Sequence, residues 1–498
     1  MSAIEINVPL LDEKLSELET ARPWQPGVIA KLEAMIQTGD DYALFRVNPL
    51  QFAQEKTIAE NEAIDLFLYG TKCGLFEMEW NLLCAFCAHV VKNFRELTKL
   101  HPHFICDFCG AENDVALDDY IHVSFTISPQ IRHISFLDPD SLSIEDYYLK
   151  YQFAKGIIFP GGHSLEEVAG LLTRLMTYVM PLEKRSLEVT LDPGTLQVKD
   201  LSKGASLTLF LGEANESSIT PASVQLEDGQ FRFDDEPTTP KKFDFPVAPF
   251  HLQVAGELPS GKMEIEFTNR MDTKSALWVM YFPPDFESNY VQFESFLSGK
   301  RLLTTQTFRD LFRFETGPTT EGIDVKDITF LFTDLKGSTA LYDRIGDLKA
   351  YYLVRQHFET LAKVIGKNSG AIVKTIGDAI MATFMNPVDA VEAAIEMLQE
   401  IEAFNRTISD DIILKIGIHR GPSIVVALND RLDYFGQTVN IAARVQGLAG
   451  AGEIYISGDA HNYPGVDDVL AEWEVASEQA NVKGVSEMLD VCKITVRH

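Results

Sequence analysis

The run KTIGDAIMATF at residues 374–384 decides the fold of the C-terminal third of this chain. Two strand-like segments flank a Gly-Asp turn, so the run predicts a β-hairpin with Asp378 at its tip. Upstream, FTDLKGST at residues 332–339 places a second carboxylate, Asp334, at the end of an apolar strand. If the hairpin pairs beside strand 327–333, the two carboxylates meet at one end of the sheet.

These segments carry groups that suit chemistry on a nucleoside triphosphate. Mg²⁺ is held by one or two carboxylates together with substrate phosphates, and two such ions can activate a hydroxyl and neutralise a triphosphate. The loop after Asp334 leads into a helix start, whose free N–H groups favour phosphate. A third segment, DYFGQTVNIAAR at residues 433–444, adds an acid, an amide and an arginine. Alone, either metal-type acid would more often be a turn residue, so the prediction depends on the combination.

The hydrophobic pattern around these segments predicts an α+β domain with a mainly antiparallel sheet. Apolar residues recur at helical spacing from Val354 to Ile365, and another helix follows the hairpin. Strand-like runs IILKIGI and SIVVAL come next, then a helix over TVNIAARVQGLA and a strand over EIYIS. We therefore expect residues 325–498 to form one domain.

The composition limits the class of protein. The chain has 498 residues, enough for roughly two to four globular domains. Its formal net charge of −30 argues against a nucleic-acid partner, because phosphate contacts need Lys and Arg, and against docking on anionic lipid. The acidic start of the chain has no secretory-signal pattern, and no apolar run approaches the ~20 residues of a membrane helix. These features predict a cytoplasmic protein with no membrane partner.

Four of the six cysteines form two CxxC pairs. Cys84 and Cys87 precede Cys106 and Cys109 in the pattern C-x2-C-x18-C-x2-C. This spacing is typical of a zinc site in which each pair contributes two thiolates to one tetrahedral ion. The alternative is four unpaired buried thiols. We expect one structural Zn²⁺, because a reducing compartment disfavours disulfides.

The rest of the chain divides into three further segments. Residues 1–114 predict a helical unit that resembles a winged helix and carries the zinc-ribbon-like CxxC pairs. Residues 115–303 are mostly strand-like and predict a β-sandwich, interrupted by a helix over 164–180. The Pro- and charge-rich stretch at 234–249 predicts a surface loop, and residues 304–324 predict a linker helix and loop.

The C-terminal motifs carry a family resemblance. Residues 325–498 resemble the catalytic domain of class III adenylate/guanylate cyclases, which implies a ferredoxin-like, mainly antiparallel sheet with helices. FTDLKGST and KTIGDAIMATF resemble the two metal motifs, DYFGQTVNIAAR the segment with the base-reading acid, and VKGVSEMLDV at 482–491 a late phosphate-contacting segment. The preceding residues resemble the zinc-binding N-terminal regulatory part of some bacterial soluble cyclases.

The resemblance implies a role for each matching residue. Asp334 and Asp378 bind two Mg²⁺ or Mn²⁺ ions, with the Leu335 carbonyl as a further ligand. Lys374 and Asp433 read the purine. A lysine donates to adenine N1 and an acid accepts from the adenine amino group, whereas guanine presents the opposite pattern, so this pair favours ATP. In guanylate cyclases, a similar framework carries Glu and Cys at these two positions, and this chain has neither.

The same resemblance implies the catalytic pair. Asn440 and Arg444 lie four residues apart on one helix and face the same way. Asn440 would orient the ribose, and Arg444 would stabilise charge on the reacting phosphate. Many relatives carry a triphosphate-binding arginine at a position that is not basic here. Either Arg431 binds the triphosphate from a shifted loop, or Lys483 provides more of this contact. The alternative for Lys483 is an ordinary solvated lysine with no role in binding.

The expected activity is conversion of ATP to 3′,5′-cyclic AMP and pyrophosphate. In the family, the metal acids come from one protomer and the other four residues from its partner, and this chain has both sets. A homodimer with two equivalent sites is therefore expected, regulated by an unknown ligand or protein at the N-terminal region. The alternatives are a guanylate cyclase, a catalytically silent nucleotide-binding signalling protein, or a transcriptional N-terminal half, which the acidic charge opposes.

Overall fold

The computed structural model describes most of the chain. The described residues are 6–498 except 96–102, 110, 115, 118–119, 203, 214–219, 228–229, 234–252, 287–291, 313–321, 409, 429–430, 483–487 and 496–498. Three predictions lie outside them in whole or in part: the surface loop at 234–249, the loop of the linker at 304–324, and the role of Lys483.

The N-terminal unit begins with helices that each bury one apolar face. Asn7 Oδ1 accepts a hydrogen bond from the Leu10 amide at 3.3 Å and starts the first helix. Asn48 caps the third, with Pro49 at its first position. The bounds are α1 (Val8–Ala21), α2 (Val28–Thr38), α3 (Pro49–Lys56) and α4 (Glu60–Cys73).

A small antiparallel sheet follows these helices. Its part of the chain contains β1 (Phe76–Leu83), β2 (Val90–Phe94), β3 (His103–Ile105), β4 (Glu112–Asp114) and β5 (Ile121–Ile127). β1 pairs with both β2 and β5, while β3 and β4 form a separate hairpin. Because β5 completes the N-terminal sheet, the boundary predicted after residue 114 falls inside this unit. The winged-helix likeness of α3, α4 and β1 stays a prediction.

Two larger sheets form the middle of the chain. They share a core that includes Val198, Leu209 and Ile265, so the sheets pack face to face as a β-sandwich. One sheet has the order β14-β11-β10-β16-β8 and the other β13-β12-β15-β9. The bounds are β6 (Ile157–Phe159), β7 (His163–Ser164), β8 (Thr173–Val179), β9 (Lys184–Leu191), β10 (Gly194–Asp200), β11 (Ala205–Gly212), β12 (Thr220–Glu227), β13 (Gln230–Phe233), β14 (Gln253–Pro259), β15 (Gly261–Asn269), β16 (Ser275–Phe282) and β17 (Gln292–Phe293).

The helix predicted over 164–180 is wrong in its second half. A capping box between Ser164 and Glu167 starts α5 (Leu165–Leu172), as the sequence favours. From Thr173 onward the chain instead forms β8, which pairs along β16. β16 is buried along almost its whole length, so its backbone groups on that edge require hydrogen-bond partners. Pairing with β8 supplies them, and this decides the structure against the helical pattern of the sequence.

The C-terminal domain has one large sheet with helices. Its elements after the connecting helices α6 (Gly299–Leu303) and α7 (Gln306–Leu311) are β18 (Ile323–Leu335), α8 (Ser338–Ile345), α9 (Asp347–Lys367), β19 (Ala371–Ile376), β20 (Ala379–Phe384), α10 (Pro387–Asn405), β21 (Leu414–Leu428), β22 (Arg431–Phe435), α11 (Gln437–Leu448), β23 (Glu453–Ser457), α12 (Gly458–His461), α13 (Val466–Leu470), β24 (Glu474–Ala480) and β25 (Leu489–Thr495). The order is β19-β20-β18-β21-β23-β25-β24, and β22 pairs with β21.

This sheet is mainly antiparallel, as predicted. The pairing of β21 with β23 is parallel, and the other pairings among its described strands are antiparallel. The two strands predicted over 412–418 and 423–428 form a single strand, β21. Its length matches β18, which pairs with it from Ile323 to Leu335.

The N-terminal unit and the C-terminal domain share one hydrophobic core. Phe330, Phe332 and Met381 of the large sheet belong to the same buried cluster as Phe67 and Trp80 of the N-terminal unit. Residues that alternate with them, such as Leu331, pack in a separate cluster with α9 and α10. One face of the sheet therefore packs against α9 and α10, and the other packs against the N-terminal unit and α11. Among the described residues, no helix is long and apolar enough to cross a membrane.

Candidate functional site

The two candidate metal acids lie at the same end of two paired strands. β18 and β20 pair antiparallel, with Phe332 opposite Met381. The Thr333 hydroxyl accepts a hydrogen bond from the Ile380 amide at 3.1 Å, so the strands stay paired up to the hairpin turn. Asp334 follows on β18, and Asp378 lies in the turn before β20. This register brings both residues to the same end of the sheet, and their joint binding of metal stays a prediction.

The local environment of these acids suits a divalent cation. Asp378 Oδ2 is buried and has no hydrogen-bond partner among the described residues. A buried oxygen without a partner costs free energy, and a cation would satisfy it. The turn itself depends on Gly377, whose φ of 63° is the left-handed conformation that glycine adopts without strain.

A lysine that the sequence analysis did not identify faces Asp334. Lys415 is the cross-strand partner of Asp334 on β21, and its Nζ lies 3.4 Å from Asp334 Oδ2. The two side chains are 19% and 36% exposed, so this ion pair is partly screened by solvent. The signal for Lys415 is its register against β18, which the sequence alone does not give.

A buried histidine lies close to the other acid. His357 of α9 is fully buried, and its Nδ1 donates to the Val354 carbonyl at 3.2 Å. Burial lowers the pKa of His357 to about 4, although the Asp378 carboxylate opposes that shift. The imidazole is therefore neutral at pH 7, and its buried Nε2 has no partner in the described chain. Its helical position did not distinguish it from an ordinary core residue.

The candidate base-reading residues form a close ion pair. Lys374 Nζ lies 2.5 Å from Asp433 Oδ2, although the two residues come from β19 and β22. Asp433 is nearly buried, and its Oδ1 accepts from the Tyr434 amide at 2.8 Å. A cation and a carboxylate held together in this way present one donor and one acceptor group to a ligand.

The candidate catalytic residues lie on α11. This helix packs against β21 and β18 and buries Ala442 and Val445. Asn440 is exposed and Arg444 is half-buried. Neither side chain has a hydrogen-bond or ion-pair partner in the part of the chain that the structure describes. Both are therefore available to a ligand.

The remaining predicted site residues are placed less completely. Leu335 is the last residue of β18, with its side chain buried. Arg431 is exposed at the first position of β22, beside undescribed residues 429–430. Lys483 lies outside the described residues. The choice between Arg431 and Lys483 as the triphosphate ligand therefore stays open.

The four CxxC cysteines meet in one cluster. Cys84 Sγ lies 3.6 Å from Cys109 Sγ, and Cys87 Sγ lies 3.8 Å from Cys106 Sγ. All four sulfurs lie within 4.8 Å of one another. Tetrahedral Zn²⁺ with Zn–S bonds of ~2.3 Å separates its sulfurs by ~3.8 Å. The cluster thus fits one zinc ion, and its cysteines are free thiols rather than disulfides.

The surroundings of the cluster suit thiolates. Hydrogen bonds among the four thiols lower the pKa values of Cys84 and Cys109 and raise those of Cys87 and Cys106, so the protons are shared unevenly within the cluster. Asn113 Nδ2 lies 3.5 Å from the Cys84 sulfur. Lys199 of the β-sandwich is buried close by, and burial lowers its pKa to about 8 while the neighbouring cysteines oppose that shift. A buried cation beside four sulfurs offsets part of the negative charge of a zinc–thiolate centre.

Comparison with known proteins assigns the C-terminal domain. Residues 322–490 match the family model described as "Adenylate and Guanylate cyclase catalytic domain". Residues 12–218 match a model described as "Family of unknown function (DUF5939)", which crosses the boundary predicted after residue 114. The C-terminal domain is therefore a class III adenylate/guanylate cyclase catalytic domain, as the motifs predicted.

Named relatives match part of this chain. A putative adenylate cyclase 3 of Rhizobium meliloti is 32% identical over 145 residues, which are 29% of this chain and 24% of that protein. An adenylate cyclase of Anabaena cylindrica is 34% identical over 135 residues, 24% of this chain and 27% of that protein. The chain thus spans about a quarter of the length of each relative.

One solved structure is similar to part of this chain. The adenylyl cyclase CyaB from P. aeruginosa is 23% identical, with 36% of this chain and 97% of that chain covered, at a TM-score of 0.32. The family model, rather than this likeness, supports the assignment.

Proposed function

We propose that this protein is an adenylate cyclase that converts ATP to 3′,5′-cyclic AMP and pyrophosphate. The observation that carries the proposal is the 2.5 Å contact between Lys374 and Asp433 within a cyclase catalytic domain. Its donor and acceptor groups complement adenine N1 and the adenine amino group. The family model covers both nucleotides, so the choice of ATP depends on this pair.

The reaction joins the 3′-oxygen of ATP to its own α-phosphorus. The bond from that phosphorus to the oxygen of the β-phosphate breaks, pyrophosphate leaves, and the hydroxyl proton passes to water. Asp334, Asp378 and the Leu335 carbonyl would hold Mg²⁺ or Mn²⁺, which when bound polarises the hydroxyl and neutralises triphosphate charge. Lys415 balances the charge of Asp334 in the free protein.

The residues of α11 would act on the ribose and the phosphates. Asn440 hydrogen-bonds the ribose and holds the 3′-hydroxyl in line for attack. Arg444 donates to the α-phosphate, where negative charge develops in the transition state. Arg431 or Lys483 binds the outer phosphates. The absence of competing partners for Asn440 and Arg444 in the described chain supports this assignment.

The base-reading pair gives a test of nucleotide choice. Lys374→Glu combined with Asp433→Cys should lower kcat/KM for ATP by up to ~10⁴-fold, because buried polar groups lose their partners. Some activity with GTP is expected to appear. Cyclic AMP and cyclic GMP formation, measured with each nucleotide alone and in competition, checks this prediction.

A matched control uses another ion pair in the same sheet. Lys493 Nζ lies 2.5 Å from Glu453 Oε1 on β25 and β23. Lys493→Glu with Glu453→Cys makes the same chemical changes away from Lys374 and should keep the wild-type preference. If the Lys374/Asp433 double variant also keeps wild-type preference for ATP, these residues do not read the base.

We further propose that the active unit is a homodimer with two shared sites. Exposed apolar residues next to the base-reading pair support this proposal. Ile376 is 51% exposed and Phe435 is 49% exposed, and each lies two residues along its strand from Lys374 or Asp433. Ile424, the cross-strand partner of Phe435, is also exposed. A second copy of the chain would cover these side chains when it completes the site.

The N-terminal region is proposed as a regulatory module that contains structural zinc. Metal analysis of protein purified without chelators should find about one zinc per chain. Cys106→Ser should lose that zinc and lower the thermal stability of the N-terminal unit, because structural zinc binding contributes directly to folding. Thermal unfolding with and without a chelator measures this effect.

Cys73→Ser is the control for this test. Cys73 is a free thiol of α4 outside the cluster, so its variant should keep both zinc and stability. A wild-type protein without bound metal would instead support four buried thiols.

A further inference from the structure

The short helix α7 touches both strands that carry the base-reading pair. It lies just before the cyclase domain in the chain and packs against β19. Gln306 Oε1 accepts a hydrogen bond from the Ile372 amide at 2.7 Å. Ile372 lies two residues before Lys374 on β19. The side chain of Gln306 thus fixes the strand that presents the lysine.

An arginine of the same helix holds the other strand. Both terminal nitrogens of Arg309 lie 3.4 Å from the Leu432 carbonyl oxygen, and that carbonyl is bonded to the nitrogen of Asp433. The Arg309 guanidinium also lies 5.7 Å from the centre of the Tyr434 ring, within cation–π range. Arg309 therefore contacts the residues on either side of Asp433.

The N-terminal unit holds α7 in this position. Phe308 of α7 is fully buried, and its ring centre lies 6.0 Å from that of Trp80 on β1. α7 also packs against α4. Opposite sides of one helical turn thus contact the N-terminal core and the two nucleotide-reading strands. A shift of α7 would move β19 and β22 relative to each other.

We propose that Gln306 and Arg309 are positioning residues that set the separation of Lys374 and Asp433, and thereby the affinity and selectivity for the nucleotide base. Their role is to hold β19 and β22, and Lys374 and Asp433 on those strands would contact the base. The proposal rests on the proposed function, because it assigns Lys374 and Asp433 to base reading. It also assigns a route by which the N-terminal unit acts on the site.

The test compares two arginines of the connecting segment in the full-length protein. Arg309→Met and Gln306→Met should each raise the KM for ATP roughly tenfold and reduce the preference for ATP over GTP, because misplaced groups bind the base poorly. The dependence of rate on Mg²⁺ should change little, since Asp334 lies on β18 and the hydrogen bond from Ile380 to Thr333 holds the start of β20, next to Asp378, against that strand. Arg301→Met is the matched control. Its guanidinium pairs with Glu60 at 2.7 Å rather than with β19 or β22.

Hydrogen exchange gives a readout that does not need turnover. Gln306→Met should speed exchange of the Ile372 amide, and Arg309→Met should speed exchange along β22, whereas Arg301→Met should change neither. Unchanged exchange in both α7 variants would overturn the proposal, and so would faster exchange with wild-type affinity for both nucleotides. If Arg301→Met raised the KM equally, general destabilisation would explain the effect of the α7 variants. That result would also overturn the proposal.

The same experiment separates the two proposals. If the wild-type protein forms no cyclic nucleotide, the proposed function fails, and equilibrium binding of ATP and GTP replaces KM as the measure. Weaker, less selective binding together with faster exchange would still support positioning by α7. Unchanged binding would overturn it.

Discussion

Asp378→Asn and Asp334→Asn should each lower cyclic AMP formation by at least about 10³-fold while leaving the protein folded. The amide keeps the shape of the side chain but loses the charge that holds a divalent cation against a triphosphate. Of the two variants, Asp378→Asn separates loss of metal binding from loss of stability more clearly. Its Oδ2 is buried without a described partner, so neutralising it removes an unfavourable charge rather than a stabilising contact.

Thermal unfolding separates loss of metal from loss of fold. Without metal or nucleotide, Asp378→Asn should melt at the wild-type temperature or slightly higher. Wild-type protein should gain stability when Mg²⁺ and a non-reactive ATP analogue are added, and Asp378→Asn should lose most of that gain, because a ligand stabilises only the state that binds it. Cyclic AMP assays over a range of Mg²⁺ and Mn²⁺ concentrations measure the catalytic effect.

An exposed acid of the same strand provides the control. Asp324 lies on β18 with its side chain in solvent, so Asp324→Asn should keep full activity. Normal activity in a folded Asp334→Asn or Asp378→Asn variant would remove the two-metal assignment.

The parts of the fold that the sequence predicted are those with local signals. The hairpin β19–β20 follows from a Gly-Asp turn between apolar runs, and Gly377 has the positive φ that the turn requires. The zinc-type cluster follows from two CxxC pairs at a spacing typical of zinc sites, although its short contacts, Cys84 to Cys109 and Cys87 to Cys106, join one pair to the other. In the hairpin, residues a few positions apart determine the geometry, and in the cluster a recognisable motif spacing does.

The errors occur where distant pairing decides the structure. Residues 173–179 have helical spacing but form β8, because β16 pairs with them. β5 joins the N-terminal sheet through β1, which moved the true edge of that unit past residue 114. The linker helix predicted within residues 304–324 is present as α7. Its contacts with β19 and β22 were missed, as was Lys415 beside Asp334, because these contacts depend on registers that no local pattern encodes.

The shared core also changes how the N-terminal half can be studied. Phe330, Phe332 and Met381 are buried against the N-terminal unit, so excising residues 320–498 would expose them to water. Exposed apolar surface of this kind promotes aggregation. Point variants in the full-length chain therefore report on regulation more cleanly than a truncated catalytic domain.

Two inactive variants should restore activity when they are mixed. Asp378→Ala lacks a metal acid, and Arg444→Ala lacks the proposed transition-state arginine, so each homodimer should be nearly inactive. In a shared-site homodimer, one site of a mixed pair receives both lesions and the other receives neither. With free exchange of subunits, half of the dimers in an equimolar mixture are mixed, and each has one intact site of two. Recovered cyclic AMP formation should be about a quarter of wild type, provided the sites act independently.

The fraction of wild-type activity recovered in the mixture distinguishes the possible assemblies, because each assembly predicts a different fraction. If Asp378 and Arg444 served a site within one chain, every site in the mixture would carry one lesion, and no activity would return. Mixing Asp378→Ala with Asp334→Ala is the matched control, since both lesions fall on the metal side and every shared site stays damaged. Two affinity tags, one on each variant, show by sequential purification that mixed dimers are present. An inactive Asp378→Ala/Arg444→Ala mixture that contains them would place both residues in the same-chain site and contradict the shared-site homodimer.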